Sequence, residues 1–258
     1  MIDLHAHILP GVDDGAKDFE DAVMIVSELA AVGVTEVVAT PHYVEGTGYV
    51  SERRVNEELL ARLSEELLER GVAVKLHLGN EIYINREIAE LVKTGVVSAL
   101  AGSEYLLVEL PMSGDYQGYE DIFAQLLADG YKVVLAHPER YESLQNDYGL
   151  VEELARMGVL FQCNLGSLVG QYGKRAKKLV KRLVRERLVF GFGSDIHHTG
   201  NEERLKKALA RLAKYYDEDE LTRVLALNPN KIVNGLVKTF LCCEDGVYLE
   251  QTKQKIYL

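Results

Sequence analysis

Imidazoles and carboxylates stand at the end of almost every short apolar run in this 258-residue chain. It opens MIDLHAHILPGVDDG, with His5 and His7 directly behind an apolar run. His42 follows in VVATPH, Glu81 in LHLGNE, Glu109 in YLLVE, His137 in VVLAHPER, and Asp195 with His197 in VFGFGSDIH. Side chains alternate along an extended backbone, so both imidazoles of His-x-His fall on one side and can grip one cation together. Alone, that signal is weak. Asp195-x-His197 repeats it near the other end of the chain, and five of the seven histidines sit at strand-like ends, which is not how histidines satisfied inside a core distribute. His77, alternating within AVKLHL, reads as a packing or solvent-facing residue, and His198 is left open between an outer role and none. Histidine and carboxylate donors without cysteine suit Mn, Fe or Zn in hydrolytic sites. A carboxylate such as Glu81 can bridge two cations about 3.5–4 Å apart, with a nucleophilic hydroxide between them.

Those residues need elements to carry them. IDL, TEVVAT, AVKLHL, YLLVEL, KVVLAH, VLFQCN and LVFGFG read as strands. Between them lie helical stretches such as DFEDAVMIVSELAAVG and SERRVNEELLARLSEELLERG, each closed by glycine. Alternating βα units that deliver ligands from one strand end describe a parallel α/β barrel with a polynuclear metal site at the C-terminal mouth. Seven strands is one short of the common eight. The length fits a single barrel domain over 1–258, with 236–258 as a C-terminal tail and a helical segment EDELTRVLALNPNKIVNG expected to break at Pro229.

A formal charge of −11 argues against nucleic-acid binding. No apolar stretch reaches the ~18 residues of a membrane span, and no signal peptide precedes His5, so a cytoplasmic protein without membrane insertion is expected. The three cysteines, Cys163, Cys242 and Cys243, lack the arginine six residues on that a thiol phosphatase uses; Val169, Tyr248 and Leu249 stand there, and all three read as packing residues. GKRAKKLVKRLVRERL carries eight basic residues between Lys174 and Arg187, with Ala176, Leu179, Val180, Leu183 and Val184 at helical spacing. It reads as an outer helix with a solvated face, the alternative being a docking surface for an acidic partner or a membrane. GFGSD lacks the third glycine of a nucleotide loop.

Taken together, MIDLHAHILPGVDDGA, ATPHY, GNEIY, VELP, AHPERY and SDIHH resemble the PHP (polymerase and histidinol phosphatase) family. Within it they look most like the bacterial metal-dependent protein-tyrosine phosphatases of capsular and exopolysaccharide synthesis. The resemblance runs from residue 1 to about 235. It implies a distorted (β/α)7 TIM-like barrel holding three divalent ions, with manganese expected and iron or zinc compatible. It implies that His5, His7, Glu81 and Asp195 hold one ion, Glu81, Glu109 and His137 a second, and Asp14, His42 and His197 a third. It also implies a phosphotyrosine-containing protein as substrate, expected to be a bacterial tyrosine kinase that regulates polysaccharide synthesis. The histidinol-phosphate branch tends to carry histidines where this chain has Asp14 and Glu109, which favours the tyrosine-phosphatase branch.

The resemblance makes Arg140, three residues after His137, the expected catalytic phosphate binder, and a guanidinium can clamp two phosphate oxygens at once. Arg204 is a candidate second positive charge. Tyr43, Tyr83 and Tyr141 beside the ligands, with Tyr116 and Tyr119 after Glu109, are candidates to stack on a phosphotyrosine ring. The expected reaction is in-line attack on phosphorus by a metal-bridging hydroxide, expelling a phenolate of parent pKa about 10. A histidinol-phosphate or other small-molecule phosphatase, an amidohydrolase and a non-catalytic metal-binding module are the competing readings.

Overall fold

The computed structural model describes residues 1–114 and 118–235. Tyr116, Cys242, Cys243 and the segment 236–258 lie outside the described residues. Nine strands are present among them: β1 (Ile2–Ala6), β2 (Glu36–Ala39), β3 (His42–Tyr43), β4 (Lys75–Leu78), β5 (Glu81–Tyr83), β6 (Tyr105–Glu109), β7 (Lys132–Ala136), β8 (Leu160–Asn164) and β9 (Val189–Gly193). They form two parallel sheets, β1-β2-β4 and β3-β5-β6-β7-β8-β9.

The expectation of seven uninterrupted strands is corrected, because two of the runs are cut. Thr40 and Pro41 separate β2 from β3, and Gly79 and Asn80 separate β4 from β5. Proline has no N–H to give a ladder. The Pro41 carbonyl instead accepts from Glu81 N and Asn80 Nδ2, each at 3.1 Å. A side chain at residue 79 would meet Leu100 Cδ2 at 2.8 Å, so only glycine lets the two segments approach. The break starts a new register in which His42 and Glu81 are paired neighbours. At the other side of the fold the first and last strands run together: Asp195 N donates to His5 O (2.8 Å) and His7 N to Ile196 O (3.0 Å).

Helices α1 (Phe19–Ala31), α2 (Arg53–Glu69), α3 (Ile88–Lys93), α4 (Tyr119–Ala128), α5 (Glu142–Asn146), α6 (Tyr148–Met157) and α7 (Gly173–Arg185) lie between strands, and α8 (Glu202–Leu212), α9 (Glu218–Thr222) and α10 (Asn228–Val233) follow the last of them. Asp18 caps α1 by accepting from Asp21 N, and Ala22, Val23, Ile25, Val26 and Leu29 form its buried stripe. Each fully buried aliphatic of this kind contributes roughly 1.5–3 kcal/mol. In α7 the five apolar residues expected on the inner face are all buried. Leu4, Val38, Leu107, Val134 and Ala136, from four different strands, form a second apolar cluster with Ile232.

The expected break at Pro229 does not occur. Helical dihedrals continue through Thr222, Leu227 and Asn228, with a π-helical turn at Arg223–Leu227 and Pro229 in the first turn of α10. A widened turn takes up the missing proline N–H without ending the helix. Among the described residues, no helix is long and apolar enough to cross a membrane.

Candidate metal centre

His5 and His7 project from β1 and the residue just beyond it, and both are fully buried. Each ring is pinned at Nδ1. His5 Nδ1 lies 2.8 Å from Gln162 Oε1, an orientation fixed by Gln162 Nε2 donating to Asn164 Oδ1. His7 Nδ1 lies 2.7 Å from Asp13 Oδ2, and Gly15 N and His42 N also donate to that carboxylate. Amide and carboxylate oxygens only accept, so both Nδ1 atoms carry protons and both Nε2 atoms present lone pairs. Those two Nε2 atoms are 3.1 Å apart, and Glu81 Oε2 is 3.1 Å from one and 3.3 Å from the other. Asp195 Oδ1 stands 3.5 Å from each.

This buried crowd of acceptors fits a cation. Without one, it must take up protons. Burial alone would lower the pKa of both rings, but the charges of Glu81 and Asp195 raise that of His5. For His7, the neighbouring carboxylates of Asp13, Asp195 and Glu81 outweigh burial and raise it well above the ordinary value. Burial alone would raise the Glu81 and Asp195 carboxyls; for Glu81, His5 and His137 hold it well below the ordinary range, and for Asp195, His5 and His7 do. Glu109 goes the other way: burial, and then the charge of Glu81, push it up to about 9.

Glu81 is the hub. Its Oε1 accepts from His137 Nε2 at 2.8 Å, and its Oε2 also lies 3.1 Å from His42 Nδ1. Yet Glu81 Oε2 and His42 Nδ1 are both buried without a hydrogen bond. Three donor groups converge here: His5, His7 and Glu81; His42, Glu81 and Glu109; and His7, Asp14, His42 and His197. The structure thus brings His5, His7, Glu81 and Asp195 together as expected, and sets His137 Nε2 3.7 Å from Glu109 Oε1. It differs in grouping, because His42 and His7 each reach two groups and not one.

Asp14 and His197 form the rim. Asp14 Oδ1 is 3.4 Å from His197 Nε2 and 3.6 Å from His42 Nε2, and the His197 hydrogen bond holds its pKa at about 2. Arg140 bridges floor and rim. Its Nη1 donates to Asp195 Oδ2 (2.7 Å) and its guanidinium lies 4.5 Å from the Tyr172 ring centre. Beside it opens a cleft of about 390 Å³ lined by Arg140, Tyr172, Asp195, His197, His198 and Arg204, among others. Arg204 is exposed and bonds Asn201 Oδ1.

Two tyrosine expectations are corrected. Tyr141 is fully buried, with its hydroxyl donating to Ala136 O (2.8 Å) and accepting from Leu110 N (3.1 Å), so its ring braces the loop and offers no face to a substrate. Tyr43 is buried in the core because alternation turns it away from its neighbour His42. Tyr83 and Tyr119 are half-buried. Two rings that sequence reasoning did not place also stand beside the cluster: Tyr172, and Tyr49, which stacks on His42 at 5.9 Å and is exposed. Sequence reasoning passed over Asp13, Gln162, Asn164 and Tyr172. Gln162 and Asn164 did carry a signal: two polar residues at period two in an otherwise apolar strand. Tyr172 carried none. His137 and Asp195 have positive φ, 31° and 51°, a conformation non-glycine residues hold only when their surroundings impose it, and one that clusters at functional sites.

The fold is shared with known proteins. Residues 1–234 match the family described as capsular polysaccharide synthesis, CpsB/CapC, and the chain belongs to that family. It is 31% identical to the putative tyrosine-protein phosphatase CapC of Staphylococcus aureus over 85% of this chain and 87% of that protein. It is 32% identical to the tyrosine-protein phosphatase YwqE of Bacillus subtilis (strain 168), over 91% and 92%. A crystal structure from work on YwqE and on CpsB from Streptococcus pneumoniae, described as unique metal-dependent tyrosine phosphatases, superposes with a TM-score of 0.84 at 30% identity, covering 91% of this chain and 95% of that one.

Proposed function

We propose that this protein is a metal-dependent tyrosine-protein phosphatase of capsular or exopolysaccharide synthesis, acting on a phosphotyrosine-bearing protein, and specifically on a bacterial tyrosine kinase. The observation that carries it is the pair of facing Nε2 atoms 3.1 Å apart, each ring pinned through its Nδ1, against a Glu81 oxygen buried without a hydrogen bond. His5, His7, Glu81 and Asp195 are read as holding one divalent ion, Glu81, Glu109 and His137 a second, and Asp14, His42 and His197 a third, with manganese the expected metal and His42 able to serve both of the last two groups. The same reading takes the two sheets as one distorted (β/α)7 barrel. Supporting it are the hydrogen bonds between the end of β1 and the residues just past β9, the shared break in two strands, and the second apolar cluster drawn from four strands.

When bound, the ions supply Lewis acidity and an ionised water as nucleophile near neutral pH. The chain's own groups do the rest. Asp13 and Gln162 fix the tautomers of His7 and His5 so that both Nε2 atoms face inward. Asp195 and Tyr172 hold Arg140 at the cleft, where its remaining N–H groups meet phosphoryl oxygens in a bidentate fork. Arg204 adds a second, looser positive charge across the cleft. A phenolate, with a parent pKa of about 10, leaves with little protonation, so no strong general acid is required. The test is side-by-side turnover of a phosphotyrosyl peptide and histidinol phosphate, before and after chelation and on adding back Mn²⁺. Chelator-sensitive preference for the peptide is expected. Full activity in metal-stripped protein, or preference for histidinol phosphate, would overturn the reading.

A further inference from the structure

The chain has 40 acidic and 29 basic residues, yet places eight of those bases between Lys174 and Arg187. Helix α7 contains no acidic residue. Elsewhere helices neutralise their bases at i,i+4: Arg53 with Glu57 and Arg54 with Glu58 on α2, Lys206 with Glu202 on α8. On α7, like charges at that spacing repel and weaken the helix. Several bases there find neutral or neighbouring partners: Arg175 bonds Asn146, Lys177 reaches Val169 O, and Arg182 covers Tyr148 and pairs with Glu186. Lys174, Lys178 and Lys181 have no ion pair among the described residues. At i, i+4 and i+7 they form one stripe.

Resting on the phosphatase reading, we infer that this stripe binds an acidic polypeptide segment flanking the phosphotyrosine. Its position carries the inference. Tyr172, immediately before α7, stacks on Arg140 and donates to Asp195 Oδ2, and Gln171 and Tyr172 both line the cleft. The stripe therefore starts at the rim of the site. From Lys174 to Lys181 it runs about 11 Å, the reach of about three extended residues. An anionic membrane is the less fitting occupant, because every apolar residue of α7 is buried and none is left to enter a bilayer.

The experiment compares kcat/KM for a phosphotyrosyl peptide with Asp/Glu flanks and one with Ser/Gly flanks, for wild type, the triple variant Lys174→Glu/Lys178→Glu/Lys181→Glu and the triple alanine variant. The expected wild-type preference for acidic flanks is about tenfold, expressed in KM, screened out by about 0.5 M salt, abolished by alanine and reversed by glutamate. Hydrolysis of p-nitrophenyl phosphate should be unchanged in all three proteins. Fluorescence anisotropy of a labelled, unphosphorylated acidic peptide reads the stripe independently of catalysis. If no phosphotyrosyl peptide is turned over, the phosphatase reading fails while the anisotropy still decides the stripe. Equal turnover of both peptides with no anisotropy difference between wild type and variants would overturn the inference. So would stripe-dependent sedimentation with phosphatidylglycerol vesicles without any peptide effect.

Discussion

The floor and the rim of the cluster use the same residue types under opposite conditions. On the floor, His5, His7 and Glu81 are fully buried, and each imidazole has a dedicated partner holding its far nitrogen. At the rim, Asp14 is half exposed at its side chain, His42 and His197 are partly open, and Arg204 is exposed. Burial makes the floor's electrostatics strong and any unpaired group there expensive. Solvent makes the rim's interactions weak and adjustable. The floor is thus suited to retaining cations, and the rim to meeting a substrate whose charge comes and goes.

If that contrast holds, the largest effect belongs to Glu81→Ala. It removes the one carboxylate that touches His5, His7, His42 and His137 together. At least about a 10³-fold loss of turnover is expected, with lower metal content by elemental analysis. Normal stoichiometry and rate in Glu81→Ala would break the hub assignment. Arg140→Ala follows, at about 10²–10³-fold, with metal content retained. Arg140→Lys should recover only part, since an ammonium lacks the planar fork. A wild-type rate in Arg140→Ala would shift the phosphate-binding role to Arg204.

Much of this was legible from residue order, and the difference between floor and rim explains what was not. His5, His7, Glu81 and Asp195 stand out as candidates because imidazoles and carboxylates at strand ends combine unusual residue type with regular placement. The seven strand runs and α7's buried face follow from period-two and period-3.6 patterning. The partners behind the ligands were invisible, because Asp13 is one of two adjacent aspartates and its choice of His7 depends on the path of the turn. Gly15 fixes that path: a side chain there would meet His7 O at 2.2 Å. Tyr141 misled for a similar reason. Adjacency to Arg140 in sequence says nothing of direction, and the 3₁₀ turn Pro138–Arg140 delivers its ring inward. Pro229 misled because a π turn can absorb a proline that sequence rules treat as a stop.

Smaller effects sharpen the contrast. Asp13→Ala removes the acceptor that orients His7, and about a 10–100-fold loss of metal affinity is expected. Asp13→Asn keeps the shape and separates lost orientation from a collapsed turn. Isothermal titration with Mn²⁺ reads both, and unchanged affinity in the two variants would remove Asp13 from the site. Asp14→Ala, at the rim, should cost about tenfold in affinity for one ion only, leaving thermal stability near wild type. A stability loss as large as that of Glu81→Ala would erase the distinction between floor and rim.

The gentlest test leaves the sequence alone and changes pH. In metal-free protein His5 and His7 have raised pKa values, so they hold protons that the unfolded chain releases. That stabilisation is full below the ordinary imidazole value near 6.5 and is lost as pH rises through the raised folded values. Glu109 acts in the same direction. With its pKa pushed to about 9, it binds a proton when folded that the unfolded chain has already lost above its ordinary 4.5, so stability falls across that window. Glu81 and Asp195, held low, oppose this only at acidic pH, where their contribution disappears as pH falls through their depressed values. Stripped protein should therefore lose stability steadily from about pH 6 to pH 9. Cations bind the deprotonated donors, so metal-loaded protein should resist that loss and bind metal more tightly as pH rises. Each pKa unit engaged is worth about 1.4 kcal/mol, or about 3–6 °C for a chain of this size. Paired calorimetric scans of loaded and stripped protein across this range should show a Tm gap that widens by several degrees. A gap that stays constant or narrows would mean that the buried floor does not exchange protons for metal, and the contrast with the solvent-screened rim would fail at its base.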